Sequence, residues 1–354
     1  MATTLAGALA TLAAVVPALP SEADAARQTV TLSGRAYAFN HMDTPLAGAT
    51  IRVRELPRLA ATTDARGDYA LEVPDEANLT PYIAPPPGYN EIDLQTFHPR
   101  GSSIENANFQ VPADAEYNGL AALLSVPIGA DGRPRRCVIV TTASARNVRG
   151  VDYETFEART PHGVAGATAH AEPGLGSPIY FNDSVIPDPS RSETSGDGGI
   201  IWTGVPAGVY RVATEGASTR FASFLATCEP GRIVNANPPW GAYELARGER
   251  PLGAGVVAGS VVKVANGKRA GHRLVTVKLR IAEPLRAKLV LRQDGRRIAP
   301  RRGQRFGVGI KKTRLRVAAR AERGRAKLRV TLTDSAGDSI SHVSTLHLPR
   351  ASRD

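Results

Sequence analysis

The sequence predicts an all-β protein made of three β-sandwiches in tandem. Three observations support this: a turn-and-strand pattern that occurs twice, a composition with 34 Gly, 26 Pro and only 5% aromatic residues, and regularly spaced turn signals in the last third. Repetition at this scale indicates two copies of one module. Abundant glycine and proline favour short strands joined by turns. The 354 residues suffice for two or three domains of about 100–150 residues.

Residues 1–26 are predicted to be an export signal. Leu5–Pro20 is a continuous run of small apolar residues, and the following segment 23–25 (A-D-A) fits the small-x-small cleavage rule. No Lys or Arg precedes the run, so an ordinary buried N-terminal segment is the alternative. The run is too short and too rich in alanine for a permanent membrane span. We therefore expect a secreted or cell-surface protein without a transmembrane span once the signal is removed.

The first predicted sandwich covers residues 27–112. From Pro45 it reads P-L-A-G-A-T-I-R-V, and from Thr62 it reads T-T-D-A-R-G-D-Y-A-L-E-V-P. Gly67 falls in a turn that favours a positive φ. Strict alternation directs one face of each strand to the core, with the inward residues Ile51, Val53, Tyr69, Leu71 and Val73.

The second copy of the pattern lies in a predicted sandwich over residues 163–244. It reads G-V-A-G-A-T-A-H-A from Gly163 and T-S-G-D-G-G-I-I-W-T-G-V-P-A-G-V-Y-R-V from Thr194. An insert rich in Pro, Gly and Asp, residues 172–191, separates the two halves. A linker over 113–162 is predicted to contain a short helix, Tyr117–Val126, and a buried strand, Cys137–Thr142.

A third sandwich is predicted over residues 260–350, after a linker at 245–259. Short alternating strands recur about every 8–14 residues with turn signals between them, a rhythm typical of a β-sandwich. The predicted strands are Leu274–Ile281, Lys288–Arg292, Phe306–Ile310, Arg314–Val317, Lys327–Leu332 and Ser341–Leu348. The region resembles immunoglobulin- or fibronectin-like domains in this strand rhythm.

The charge is divided sharply along the chain. From Ala246 onward there are 27 Lys and Arg against 7 Asp and Glu, a net charge of +20, and the preceding 245 residues carry −9. Such a division indicates a domain boundary and an anionic partner. The partner we expect is an anionic cell-wall polymer or glycan, and no motif for specific nucleic-acid binding is present. A membrane surface, the acidic half of the same chain, or a merely solvated basic surface are the alternatives.

The repeated unit resembles the carboxypeptidase regulatory-like family, whose pattern is roughly P-x-x-G-A-x-V followed by T-D-x-x-G-x-Y-x-F-x-x-L-P-x-G-x-Y. The first copy matches it at Pro45, Gly48, Ala49, Thr63, Asp64, Gly67, Tyr69, Leu71 and Pro74. The second matches at Gly166, Ala167, Thr194, Gly198, Val205, Pro206, Gly208 and Tyr210, with Ser195 in place of the Asp. The resemblance implies a prealbumin-like (transthyretin-like) sandwich. These residues form turns and cores, so they indicate a scaffold and name no ligand.

The insert holds the candidate binding residues. Tyr180, Phe181 and Asn182 are candidates for glycan binding, because sugar sites use exposed aromatic rings; covering the sandwich is their alternative role. Calcium is a second possibility, because carboxylate oxygens in an exported loop suit it. The candidate ligands are Asp183, Asp188, Glu193 and Asp197, and turn-capping carboxylates are the alternative.

Cys137 and Cys228 are the only cysteines, and in an exported protein they predict one disulfide. It would contribute about 3–4 kcal/mol through loop entropy. Two buried reduced thiols are the alternative.

The sequence favours a non-enzymatic role. It has no G-x-S-x-G, H-E-x-x-H, phosphate-loop or C-x-x-C motif. Intradiol dioxygenases use a similar prealbumin-like sandwich and bind iron through Tyr and His, but this chain has no H-x-H. We therefore predict a binding or surface protein; an accessory region of an enzyme, or a divergent metal-dependent enzyme on this scaffold, is the alternative.

Overall fold

A computed structural model describes residues 28–39, 41–149, 159, 161–251, 257–269, 272–300 and 302–349. The predicted signal, 1–26, lies outside these ranges. The described residues form 26 strands, one α-helix and one 3-10 helix, which confirms the predicted all-β fold of tandem sandwiches. None of the helices in these ranges has the length and apolar character that crossing a membrane requires.

Eight strands form the first sandwich: β1 (Thr29–Ala38), β2 (His41–Pro45), β3 (Thr50–Val53), β4 (Leu56–Thr62), β5 (Asp68–Pro74), β6 (Pro81–Ala84), β7 (Ile92–Asp93) and β8 (Phe109–Val111). One sheet has the order β2-β1-β5, with β8 parallel to β1, and the facing sheet has the order β4-β3-β6-β7. Leu32, Ile51 and Phe97 are fully buried in the core. The alternation along β3 and β5 places their apolar residues inward, as predicted.

The helix α1 (Asp114–Leu123) follows and begins three residues before the predicted helical segment. The second sandwich consists of β9 (Cys137–Ser144), the 3-10 helix Arg146–Val148, β10 (Ala167–Glu172), β11 (Ile179–Phe181), β12 (Pro187–Asp188), β13 (Gly199–Val205), β14 (Gly208–Gly216), β15 (Arg220–Phe221), β16 (Phe224–Cys228), β17 (Ile233–Ala236) and β18 (Ala242–Leu245). The run β10-β14-β16 faces the run β13-β9-β17. Ile139, Trp202 and Phe224 pack in the core between them.

The Gly-Ala turn of the first repeat is held by one threonine. The Thr63 Oγ1 hydroxyl accepts a hydrogen bond from Ala49 N (2.9 Å) and donates one to Leu46 O (2.6 Å). Gly48 N donates to Thr63 O (3.0 Å), and Gly48 has a φ of 73°. The threonine side chain therefore ties the turn to the strand that follows it.

The second repeat makes the same hydrogen bonds. The Thr194 Oγ1 hydroxyl accepts from Ala167 N (2.9 Å) and donates to Val164 O (2.7 Å). Gly166 N donates to Thr194 O (2.9 Å), and the φ of Gly166 is 76°. The repeated letters in the sequence thus correspond to a repeated hydrogen-bond network.

The strand β9 is the counterpart of β1, which corrects its assignment to the 113–162 linker. Ala36 N in β1 donates to Gly67 O (2.9 Å), and Ala143 N in β9 donates to Gly198 O (2.8 Å). Both glycines have a positive φ, 77° and 78°. The second sandwich therefore begins at Cys137 rather than at residue 163. A long connection separates β9 from the Gly-Ala turn at Gly166, so the spacing along the chain does not show that β9 belongs to the same sandwich.

The first two sandwiches share a sheet. The strand β7 pairs in parallel with β17, with Asp93 opposite Val234, so one sheet of each sandwich continues into the other. The Trp240 ring packs edge-on against Phe97 with centroids 4.9 Å apart, and its Nε1 donates to Glu105 O (2.8 Å). The two modules are therefore joined through both backbone pairing and core contacts.

The third sandwich consists of β19 (Gly259–Arg269), β20 (His272–Ile281), β21 (Leu285–Gln293), β22 (Arg296–Arg297), β23 (Arg302–Phe306), β24 (Gly309–Arg316), β25 (Gly324–Thr333) and β26 (Ser339–Leu348). One sheet has the order β19-β20-β24, and the other has the order β22-β21-β25-β26, with β23 also on β21. Val277, Leu289 and Leu328 are fully buried between the sheets.

A buried ion cluster joins the second and third sandwiches. Arg211 on β14 is 2% exposed, and its Nη2 and Nε lie 2.5 Å and 2.8 Å from the two carboxylate oxygens of Glu283, which precedes β21. Ala258 N also donates to Glu283 Oε1 (2.5 Å), and Asp334 Oδ2 lies 3.6 Å from Arg211 Nε. The guanidinium therefore forms a close ion pair with Glu283 and lies near a second buried carboxylate, Asp334.

We expect Asp334→Asn to flatten the dependence of stability on pH between about 4 and 6. Burial raises the pKa of Asp334 from 3.8 to about 6, although the nearby Arg211 opposes the shift. In this window Asp334 keeps its proton in the folded chain and releases it in the unfolded chain. The stabilisation that comes from this proton is therefore complete below pH 4 and is lost as the pH rises through 6. A difference of about two pKa units between the folded and unfolded chains changes the free energy of unfolding by at most about 3 kcal/mol.

Urea unfolding at pH 4, 5, 6 and 7 measures the effect. The control is Asp294→Asn, the same substitution at an exposed turn, which should keep the wild-type pH profile. Identical profiles for wild type and Asp334→Asn would contradict the expected role of Asp334.

Candidate functional site

The aromatic residues of the insert are buried, which corrects the prediction of an exposed glycan platform. Tyr180 is 4% exposed and Phe181 is 6% exposed. The Tyr180 hydroxyl accepts a hydrogen bond from Ala169 N (3.0 Å), and the strand β11 that carries both residues pairs with β13. Stacking on a sugar requires an accessible ring face. These rings instead cover the second sandwich, the alternative role considered for them.

Asn182 organises the turn that follows β11. Its Oδ1 accepts hydrogen bonds from Ser184 N (2.9 Å) and Ile186 N (3.2 Å). An asparagine side chain that mimics a backbone acceptor in this way is a common turn device. The structure therefore gives Asn182 a local structural role.

Three of the four predicted calcium ligands accept hydrogen bonds from backbone N–H groups through their carboxylates. No cluster of three or more His, Cys, Asp or Glu side chains suited to a metal occurs among the described residues. Glu193 contributes its backbone oxygen to Arg191 Nε (3.2 Å). Calcium binding stays a prediction, and the observed contacts match the capping alternative: Asp183 Oδ1 with Gly196 N (2.8 Å), Asp188 Oδ1 with Ser190 N (2.9 Å), and Asp197 Oδ2 with Gly199 N (3.0 Å).

The predicted disulfide is confirmed. Cys137 and Cys228 are bonded, their Cα atoms are 5.5 Å apart, and both residues are fully buried. The bond joins the start of β9 to the end of β16 and so crosslinks the two sheets of the second sandwich. It stabilises the scaffold that carries the insert.

A concentration of positive charge lies on one face of the third sandwich. A depression of about 930 Å³ on the outer side of the β21–β25–β26 sheet is lined by twelve residues. We call its six cationic residues the basic face: Lys288, Arg292, Arg297, Arg325, Lys327 and Arg329. The only carboxylate in this lining is Asp294, at the turn after β21.

The basic face follows directly from strand alternation. Along β25, Ala326, Leu328 and Val330 point into the core, and the residues between them are exposed. Side chains on one face of a strand recur about every 6–7 Å. The cations of β25 therefore form a regular row, and Lys288 and Arg292 on β21 form a second row that Val290 interrupts. Such rows suit a polymer whose negative charges also repeat.

The basic face is not neutralised within the described part of the chain. None of its six cations forms a salt bridge with a carboxylate among those residues. Arg292 and Lys327 lie directly opposite each other on β21 and β25. Like charges in that position destabilise a sheet by about 0.2–1 kcal/mol. An anion bound between the rows would relieve this repulsion.

The third sandwich lacks the aromatic residues that other kinds of ligand require. Phe306 is the only aromatic residue after Ala246, and it is 7% exposed. Stacking of sugar rings or of single-stranded bases therefore has no platform here. Recognition at the basic face therefore uses charge and hydrogen bonding, together with the apolar contacts that Val290 and Val343 offer.

Comparisons with known proteins return low similarity. No family model and no curated protein matches the chain. The major pilin subunit of Bacillus cereus aligns at 11% identity over 60% of this chain and 69% of its own, with a TM-score of 0.18.

Two further solved structures align at similar levels. A candidate carbohydrate-binding protein of Bacteroides uniformis aligns at 10% identity over 60% of this chain and 99% of its own, with a TM-score of 0.19. A tetra-tandem repeat from the extending region of a large adhesion protein aligns at 12% identity over 91% of this chain and 74% of its own, with a TM-score of 0.21. Similarities this low carry no argument about function.

Proposed function

We propose that this chain is an exported, non-enzymatic binding protein that holds a linear anionic polymer of the cell envelope on the basic face. This proposal rests mainly on the six cations around one depression, which form no salt bridge within the described ranges and two of which are directly opposed. The first two sandwiches, which we propose to be divergent carboxypeptidase regulatory-like modules, serve as a rigid scaffold. The 245 residues that precede Ala246 carry a net charge of −9, which leaves the third sandwich as the part of the chain that attracts anions.

The expected partner carries regularly spaced phosphate, sulfate or carboxylate groups. Arg presents planar pairs of donors to such groups, and Lys adds point charges. The absence of an exposed aromatic in the third sandwich favours a polymer that is recognised by its charges rather than by its rings. Contact with several phosphates at once gives affinity that falls steeply with salt.

Charge reversal on the basic face tests this proposal. The variant Lys327→Glu/Arg329→Glu should lower the affinity for long-chain polyphosphate by about 20-fold or more at 0.1 M salt, since each lost contact costs about fivefold there. The new carboxylate at position 327 lies opposite Arg292, so stability of the sheet should not suffer. Biolayer interferometry with polyphosphate and with neutral dextran provides the measurement.

The matched control reverses the same two residue types on the opposite sheet. Lys312 and Arg314 are exposed on β24, two positions apart, so Lys312→Glu/Arg314→Glu changes the net charge equally. We expect this control to lose no more than about threefold in affinity, the long-range effect of net charge alone. Equal losses in both variants would show that the basic face is not the site, and binding to dextran would contradict recognition by charge.

A further inference from the structure

A second feature of the molecule is a cavity of about 180 Å³ beneath α1. Tyr117, Ala121 and Leu124 on one face of the helix form its roof, at helical spacings of four and three residues. Its floor is the outer face of the shared sheet, where Val140 on β9 and Ile201 on β13 contribute apolar side chains. The cavity therefore lies between the predicted linker helix and the second sandwich, far along the chain from the basic face.

The insert completes the cavity. Phe181, one of the residues predicted to bind a ligand, forms part of its wall, and Val185 lies at its rim. Val185 is 43% exposed and has a φ of 60°, a backbone conformation that β-branched residues rarely adopt. The turn held by Asn182 thus places an apolar side chain at the opening. The insert contributes to a binding space by lining it rather than by presenting an exposed ring.

Two buried polar atoms in the cavity lining lack partners. The Tyr117 hydroxyl and the Asn235 Oδ1 atom have no hydrogen-bond partner among the described residues, and each residue is 8% exposed. The Asn235 Nδ2 group donates to Gln110 O at 3.4 Å, which leaves the Oδ1 atom as the available acceptor. A buried polar group that is left without a partner is destabilising. A ligand hydroxyl can donate a hydrogen bond to Asn235 Oδ1 or accept one from the Tyr117 hydroxyl.

The volume and the apolar lining of the cavity indicate the size and the polarity of the rest of the ligand. A dry apolar cavity of about 150 Å³ is enough to bind benzene, so about 180 Å³ accommodates one substituted ring. Burial raises the pKa of Tyr117 to about 12, which keeps its hydroxyl protonated and able to donate. The cavity lining is otherwise mainly aliphatic and aromatic carbon.

We propose that this cavity binds a small apolar molecule of about one ring that carries a single hydroxyl group, a phenol-like ligand. The site is independent of the basic face, and either proposal can fail without the other. Reversing Lys327 and Arg329 should therefore leave binding in the cavity unchanged.

The test uses the full chain and two probes that differ in one group, 4-fluorophenol and 4-fluorotoluene, with ¹⁹F NMR titration. We expect both to bind the wild-type protein. Tyr117→Phe removes one hydroxyl and retains the ring, so it should lower the affinity ratio of fluorophenol to fluorotoluene by about fivefold, the value of one hydrogen bond. Failure of both probes to bind, or an unchanged ratio in Tyr117→Phe, would overturn the proposal.

A matched pair of helix variants locates the binding. Ala121→Phe should fill the cavity and lower the affinity of both probes more than about tenfold, because Ala121 lines it. Ala122→Phe makes the same change at the neighbouring exposed position and should leave both affinities unchanged. Should Ala121→Phe fail to fold, the Tyr117→Phe ratio still decides the question. Equal affinities in the two alanine variants would place the probes elsewhere.

Discussion

We expect Arg211→Met to lower the free energy of unfolding by about 3–5 kcal/mol, because it leaves Glu283 charged and buried without its partner. Glu283 is fully buried and receives both the Arg211 guanidinium and Ala258 N. Burial and these contacts leave the carboxylate no access to water. The loss should be large because a buried charge without a counter-ion costs far more than an exposed pair contributes.

Urea unfolding followed by tryptophan fluorescence measures this loss, since Trp202 lies in the core of the second sandwich and Trp240 lies at its junction with the first. The control is Arg35→Met, which breaks the half-exposed Arg35–Asp68 pair (2.7 Å) and should cost about 1 kcal/mol or less. Losses of equal size in the two variants would refute a special role for Arg211.

A double variant separates the lost ion pair from lost packing. Adding Glu283→Gln to Arg211→Met removes the orphan charge and keeps an acceptor for Ala258 N. Part of the stability should return, because the buried side chain is then neutral. No recovery would mean that packing around Arg211, rather than charge, accounts for the loss.

Removal of the disulfide is the second large effect we expect. Cys137 and Cys228 are separated by 91 residues, so Cys137→Ala/Cys228→Ala frees a long loop in the unfolded chain. The loss should be about 3–4 kcal/mol from loop entropy. The two cysteines also link facing sheets of the second sandwich, so the tryptophan signal should report the change directly.

The same unfolding experiment in the presence of a reductant supplies the control. Wild-type protein should lose stability when reductant is added, because reduction of the unfolded chain removes the crosslink. The double alanine variant should be insensitive to reductant. A variant as stable as the oxidised wild type would show that the bond does not contribute to the stability of the second sandwich.

The scaffold could be predicted from the sequence because its signals are local. Turn glycines and alternating apolar residues lie close together in the chain, and Thr63 and Thr194 hold equivalent turns in the two copies. The all-β fold followed from such patterns, the disulfide followed from the presence of only two cysteines, and both are confirmed. The outward position of the basic side chains in the third sandwich can also be predicted from the sequence, because alternation alone places Lys327 and Arg329 on one outer face.

The features that the sequence does not reveal depend on contacts between distant segments. β9 is the first strand of the second sandwich, but its connection to the Gly-Ala turn is long, so it reads as part of a linker. Arg211 alternates with apolar residues along β14, a pattern that is typical of a solvent-facing side chain. It is buried because Glu283 of the next sandwich packs against it. Tyr180 and Phe181 look like exposed loop residues until β11 pairs with β13.

The salt dependence of polyphosphate binding tests the central claim most directly. If the six cations of the basic face contact the polymer, a plot of log affinity against log salt should have a slope near −4, about −0.7 per contact. The slope should fall in magnitude by about 1.4 in Lys327→Glu/Arg329→Glu and stay unchanged in Lys312→Glu/Arg314→Glu. A flat plot for the wild type, or the same change of slope in both variants, would contradict binding at the basic face.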